Sequence, residues 1–288
     1  MLIAKDFCLH RPDSLEEALA MRGELGDEAA VYAGGTELLL AMKMGVLEYD
    51  HLIDIKGCAE LRGLDVDAGE LRIGATTTHR ELELSALVRH AVPALSELER
   101  HVANVRVRAA GTLGGNLAFA EPHADPAALL IALSARVRLA SRSGARELPV
   151  DEFIEDAYET ALLEDELLST VIIPVPSPAT RATYCKIATL ERPTVGVAVV
   201  GEVVGDAFAG EPAVVVGAVD ERPVRVDASA LVGAGGDDDD ALSAVADAAR
   251  AAIDPVDDLS GSAEYKVHLT GVLVRRAVVQ LFGSGDPS

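Results

Sequence analysis

The chain has 288 residues, 49% of them hydrophobic but only 3% aromatic, with no tryptophan and a formal net charge of −22. This size and apolar content predict a sizeable core of Ala, Val and Leu, with room for two domains, rather than disorder. The acidic balance excludes a surface built for nucleic acid or anionic lipid, both of which need clustered Lys and Arg. No apolar run reaches the roughly 18 residues of a membrane span.

The opening residues, Met1 to Phe7, lack the charged and apolar regions of a secretory signal. Cys8, Cys58 and Cys185 lie far apart. Such a scatter fits no disulfide framework, zinc site or iron–sulfur cluster, so each is expected to be a buried or inert thiol in a cytoplasmic protein.

Ser14-Leu-Glu-Glu17 reads as a capping box opening a helix over 14–25. Ala29–Ala33 reads as a buried strand that runs into Gly34-Gly35-Thr36, followed by a helix from Glu37 to Met44 closed by Gly45. Strands are expected at 51–55 and 71–75, and Thr78-His-Arg-Glu81 is a second capping box. A helix with proline in its first turn covers 93–102.

The stretch Ala109–Pro126, A-A-G-T-L-G-G-N-L-A-F-A-E-P-H-A-D-P, holds three glycines within five residues and an Asp nine residues beyond its Asn. It reads as a turn in which the backbone closely approaches a neighbour. Asp125 heads a helix over 126–133, and strands are expected at 136–140 and 168–175. The cluster Pro174-Val-Pro176-Ser-Pro178 marks a domain boundary, giving domains 1–176 and 177–288. Strands at 183–187, 195–204 and 213–219 then form an antiparallel sheet. The acidic run 237–240 lacks the ligand spacing of a calcium loop and reads as a solvated helix start. A last helix after Ser262 packs on the sheet.

Two glycine-rich turns, Gly34-Gly35-Thr36 and Gly111-Thr-Leu-Gly-Gly-Asn116, carry the chemistry. Successive amides in such turns form anion-binding concavities, and a diphosphate suits two converging ones; each alone is a weak signal that reads first as a tight turn. No Walker A sequence, Rossmann fingerprint, H-E-x-x-H or G-x-S-x-G is present. His79, His101 and His123 are isolated and read as solvated or capping residues.

With these motifs on the page, the chain resembles the FAD-binding medium subunits of the molybdenum hydroxylases, the xanthine dehydrogenase and aerobic carbon monoxide dehydrogenase family. Ala33–Lys43 looks like that family's first flavin loop, Leu71–Thr78 its I-G-A-x-T-T strand and turn, and Arg108–Asn116 through Asp125 its second flavin loop. Gly261–Lys266 with Val274-Arg-Arg276 resembles its ending. The resemblance implies an α+β fold: a two-subdomain FAD-binding domain of the PCMH/vanillyl-alcohol-oxidase type (about 1–55 and 56–176), then a smaller α+β domain with a three-stranded antiparallel sheet.

It further implies FAD held between the N-terminal subdomains. Tyr32, Ala33, Gly34, Gly35, Thr36, Glu37 and Leu38 form the first loop; Thr112, Leu113, Gly114, Gly115 and Asn116 form the second, with the diphosphate between them. By the same comparison Asp125 accepts from ribityl or ribose hydroxyls, and as a carboxylate it is suited to that. Val102 and Leu167 fall at apolar flavin contacts, and Val195 where a residue shields the ring. Lys186 lies near the isoalloxazine, where a cation favours the anionic reduced form.

The segment Thr189-Leu-Glu-Arg-Pro-Thr-Val195 departs from the family's Arg-rich run, leaving the acceptor side open among quinone, oxygen, NAD and a redox protein. No cysteine-rich insert is present, so no extra iron–sulfur cluster is expected. The implied partners are a molybdenum-cofactor large subunit and a 2Fe-2S small subunit, as a dimer of heterotrimers. No acid, base or nucleophile is expected in this chain. The alternatives are a stand-alone FAD-dependent oxidoreductase of the same fold and an assembly subunit that has lost its flavin.

Overall fold

A computed structural model describes residues 6–189 and 191–283. The chain begins with a small parallel sheet. Strands β1 (Cys8–His10) and β2 (Ala29–Tyr32) both pair with β3 (His51–Asp54), in the order β1-β3-β2. Helix α1 (Leu15–Leu25) buries Ala18 and Leu19 against it, and the short α2 (Leu38–Lys43) follows β2 directly. The first capping box is only half formed: Ser14 Oγ accepts from the Glu17 amide, but the Glu17 carboxylate turns to the Asp13 amide.

A five-stranded antiparallel sheet follows, ordered β4 (Leu64–Asp67), β5 (Glu70–Gly74), β10 (Leu167–Pro174), β6 (Arg136–Ser141) and β7 (Gly144–Pro149). Helices α3 (His79–Leu84), α4 (Ala86–Ala91), α5 (Pro93–His101), α6 (Val105–Ala110), α7 (Leu113–Phe119) and α8 (Pro126–Ala132) pass between β5 and β6. The short α9 (Val150–Phe153) and the β8 (Ile154–Asp156) and β9 (Glu159–Thr160) pair fill the excursion before β10. The second capping box is complete: Thr78 Oγ1 accepts from the Glu81 amide and Glu81 accepts from the Thr78 amide. A register shift between Leu168 and Thr170 loosens the β10 ladder beside β6. The Ser169 carbonyl accepts from the Ala75 amide at 2.9 Å, tying down the turn after β5.

The third sheet is antiparallel. Strands β11 (Thr180–Ile187), β12 (Val195–Val204) and β14 (Ala213–Gly217) are the three expected from sequence; the short β15 (Val224–Val226) extends its edge and β13 (Ala207–Phe208) pairs back on β12. Asp238 caps α10 (Asp239–Ala252), so the acidic run is a helix start, and α11 (Ala263–Gly283) lies on the same sheet. Alternation splits β11: Tyr184 and Lys186 point toward α5 and α8, while the Cys185 thiol meets Gln280 of α11 at 3.0 Å.

Every residue of α8 is buried, which is unusual for so short a helix. The reason is its position between the sheets, in a core joining Leu129, Leu130 and Val171 to Ala198 and Val215. A Cβ on Gly217 would sit 3.2 Å from that of Ala128. The head of α8 therefore lies where the two parts of the chain meet. Among the thiols, Cys58 is buried and its pKa held up to about 11, first by burial and then by surrounding carboxylates, whereas Cys8 is exposed.

Candidate flavin site

The two glycine turns, far apart in sequence, touch. A Cβ on Gly34 would lie 2.3 Å from the Ala110 carbonyl oxygen and 2.6 Å from Gly111 Cα, so glycine is required for this approach. Gly111 is hemmed in on both sides: a Cβ there would meet the His79 ring at 3.2 Å and the Thr36 hydroxyl at 3.3 Å.

The first turn is an open one. Gly35 has φ +69° and presses on the Tyr32 ring, where a Cβ would come within 2.1 Å of Cε2. Lys56 Nζ sits 3.6 Å above that ring and donates to the Ala33 carbonyl at 3.1 Å and to Asp54 at 2.7 Å. The amides of Gly34, Gly35, Thr36 and Glu37 find no acceptor among the described residues. Four successive unpartnered amides beside an ammonium make an anion-binding nest. Leu38 begins α2, and Leu39 packs on Gly35.

The second turn is closed, and here the expectation of a matching amide concavity needs correction. Leu113 donates to the Thr77 carbonyl, Gly114 to that of Ala75, Gly115 to Thr112 Oγ1 and Asn116 to the Thr112 carbonyl. The segment is a helix N-terminus seated on the turn after β5, not a free loop. A Cβ on Gly114 would come within 2.6 to 2.7 Å of Ala75. A Cβ on Gly115 would come 2.8 Å from Thr112 Oγ1 and 4.0 Å from the Cβ of Ala33, and what the turn leaves available is Asn116, whose Oδ1 is buried without a partner. An orphaned buried acceptor calls for a donor from elsewhere.

Asp125 stands at the N-cap position of α8 but makes no cap hydrogen bond. Its carboxylate is instead gripped from β11: the Tyr184 hydroxyl donates to Oδ1 at 2.9 Å and Lys186 Nζ to Oδ2 at 2.9 Å. Lys186 also donates to the His101 carbonyl at 2.7 Å, so it is a paired, half-buried cation and not a strand lysine facing water. Burial pushes the Asp125 carboxyl up, while Lys186 and Tyr184 work to keep it ionised. Burial, then Asp125, pushes the Tyr184 phenol well above its usual range, so it acts as a neutral donor.

His79 is not solvated, as its isolation in sequence suggests. It is buried under Gly111 with Nδ1 2.7 Å from Glu99, which is fully buried and has its other oxygen unpartnered. Burial acts against the imidazolium, but Glu99 overrides it and holds His79 above its ordinary range. His123 bridges Glu121 and Asp258, and Asp258 pairs with the buried Lys266 of the Gly261–Lys266 motif. Val102 and Leu167 are buried, in the main core and in the small N-terminal core respectively, so packing alone accounts for both.

Sequence reasoning missed four residues around the site. Tyr184 carries a readable signal, since it lies two positions from Lys186 on a strand and so shares its face. Lys56, His79 and Arg192 carry none, because the Tyr32 ring and Ala33 carbonyl that meet Lys56, the Glu99 that meets His79, and the Glu37 and Glu121 that meet Arg192 are distant in sequence. Arg192 reaches from the β11–β12 connection to pair with Glu37 at 2.6 Å and Glu121 at 2.7 Å. Glu121 is held down to about 2: burial works against its ionisation, but His123, Arg192 and Tyr158 outweigh it.

Residues 5–176 match the family described as the FAD binding domain in molybdopterin dehydrogenase, and residues 185–281 match the CO dehydrogenase flavoprotein C-terminal domain. The carbon monoxide dehydrogenase medium chain of Hydrogenophaga pseudoflava is 34% identical over 96% of this chain and 97% of its own length. The solved carbon monoxide dehydrogenase of that organism aligns with a TM-score of 0.94 over 98% of this chain and 99% of that one. Quinoline 2-oxidoreductase from Pseudomonas putida aligns at 28% identity with a TM-score of 0.92, covering 98% of each chain.

Proposed function

The chain belongs to the FAD-binding medium chains of the molybdenum hydroxylases, and from that premise we propose that it carries electrons from iron–sulfur clusters on a partner subunit, through FAD, to an external acceptor. It is an FAD-binding oxidoreductase subunit. It is similar over nearly its full length to carbon monoxide dehydrogenase medium chains and to quinoline 2-oxidoreductase. Substrate oxidation belongs to a molybdenum-cofactor large subunit, the clusters to a 2Fe-2S small subunit, and the assembly is a dimer of heterotrimers. No described helix is long and apolar enough to cross a membrane, in keeping with a cytoplasmic complex. The flavin domain is 1–176, divided near residue 55, and the second domain is 177–288.

The observation that carries the site reading is the set of open amides at Gly34–Glu37, pressed against Gly111 of the second turn. Those amides, with Thr36 and Lys56 beside them, hold the diphosphate. Beside Gly115, Asn116 Oδ1 accepts from the cofactor. Asp125 retains free lone pairs for hydroxylated chain atoms, a carboxylate having about four acceptor positions. When bound, FAD supplies reversible electron transfer. The protein's part is to orient it, exclude water and set the nearby charge, through Lys186 and Asp125 together. Because these two groups neutralise one another, the field at the ring is a dipole and not a bare cation.

Isolation of the complex from its native cells tests this. The expected result is FAD on this chain with molybdenum and iron co-purifying in stoichiometric amounts. A chain that purifies alone and turns over substrate without partners would replace this reading with a stand-alone oxidoreductase.

A further inference from the structure

Asp125 is buried, and a buried carboxylate keeps its charge and its direction only if donors hold it. One donor is Lys186, which the family resemblance places near the flavin ring. The other, the Tyr184 hydroxyl, comes from the same face of β11 and binds the opposite oxygen at 2.9 Å. A specific provision makes room for it. Gly196, paired with Lys186 on the adjacent strand β12, would place a Cβ 2.3 Å from the Tyr184 hydroxyl oxygen. Any larger residue there pushes the hydroxyl off Asp125.

We infer that Tyr184 is a positioning residue of the flavin site, which fixes the Asp125 carboxylate as an oriented anion for the hydroxyls of FAD. The inference rests on the reading of Asp125 as an FAD ligand. The two contacts on Asp125 differ in kind. Lys186 supplies charge, and its ammonium divides its donors between Asp125 and the His101 carbonyl. Tyr184 supplies direction: its ring packs against the main core, and its one O–H reaches a single carboxylate oxygen. The third sheet thereby sets the geometry of a group carried by the first part of the chain.

FAD dissociation constants of the deflavinated full-length chain test this, measured by flavin fluorescence from about pH 5 to 8 for wild type, Asp125→Asn, Tyr184→Phe and the double variant. Loss of one hydrogen bond to a charged group is expected to weaken FAD binding about tenfold in Tyr184→Phe. The loss in Asp125→Asn is larger, and the double variant binds no worse than Asp125→Asn alone. The acidic fall-off of binding moves to higher pH in Tyr184→Phe, because the carboxylate has lost a donor to its charged form. His79 and Lys186, the other charged groups facing Asp125, are common to both proteins and cancel in the comparison. Gly196→Ala displaces the hydroxyl without removing it, so the same acidic shift is expected there.

Additive losses in the double variant, or superimposable pH profiles of Tyr184→Phe and wild type, overturn the positioning role and leave Asp125 as a ligand. Unchanged binding in Asp125→Asn overturns both, and identifies the ligand reading as the one that failed.

Discussion

The two glycine turns look alike in sequence and do opposite work. Gly34-Gly35-Thr36 presents amides that meet no protein acceptor, and is supported from behind by Tyr32 and Lys56. Gly111–Asn116 turns its amides inward, onto Thr77, Ala75 and Thr112, and rests on the buried His79–Glu99 pair. Glycine serves a different need in each. In the first it permits a left-handed backbone and exposes donors; in the second it permits backbone to pack on backbone. The lesson is that a glycine count locates a close approach but does not say whether a ligand or the protein itself makes it.

This contrast predicts that damage to the second turn is read mainly in stability and damage to the first mainly in flavin binding. The largest effect is expected at His79. Breaking a buried pair leaves an uncompensated charge, so His79→Gln should lower unfolding stability by about 3 kcal/mol, measured by urea denaturation of the flavin-free chain. The pH dependence has a definite sign. The folded-state value of His79 is raised above its unfolded value of about 6.5. The stabilisation is therefore fully present below about pH 6.5 and is lost as pH rises through the higher folded-state value. The gap between wild type and His79→Gln should accordingly narrow toward alkaline pH; a constant gap means the pair does not titrate as described.

Next, Gly114→Ala forces a Cβ within 2.6 to 2.7 Å of Ala75, and about 1–3 kcal/mol of destabilisation is expected from such overpacking. An unchanged melting temperature would show that the second turn is not packed on the β5 turn. On the other side, Lys56→Ala removes a half-exposed ion pair with little effect on stability, under about 1 kcal/mol. It should nonetheless speed FAD release severalfold, and a stability loss without faster release reverses the assignment. The smallest effect is expected for Arg192→Ala. Its pairs to Glu37 and Glu121 are part-exposed, so about 0.5 kcal/mol is at stake, checked by the shift in melting temperature at low and high salt.

Much of the fold was legible because its signals are local. The continuous apolar run of β12, the proline at the start of α5 and the Asp238 cap of α10 are fixed by neighbours in sequence. The second capping box gave the α3 start for the same reason. Strands β1, β4 and β15 escaped because they are short edge or partly exposed strands with weak alternation. Helix α7 reads from sequence as part of a turn, since its glycines and short length mask helical periodicity, and α6 is too short to show any. In the site, the glycine junction and Asp125 were found from motif resemblance. The partners of Asp125 and the inward direction of the second turn depend on contacts between distant segments, which spacing does not encode.

Residue-resolved amide hydrogen exchange of the full chain, with and without FAD, tests the central asymmetry most directly. Without FAD, the amides of Leu113, Gly114, Gly115 and Asn116 are expected to be protected and those of Gly34, Gly35, Thr36 and Glu37 to exchange fast. Addition of FAD should slow the second group markedly and change the first little. Protection appearing at Leu113–Asn116 while Gly34–Glu37 continues to exchange freely would contradict the account and exchange the roles of the two turns.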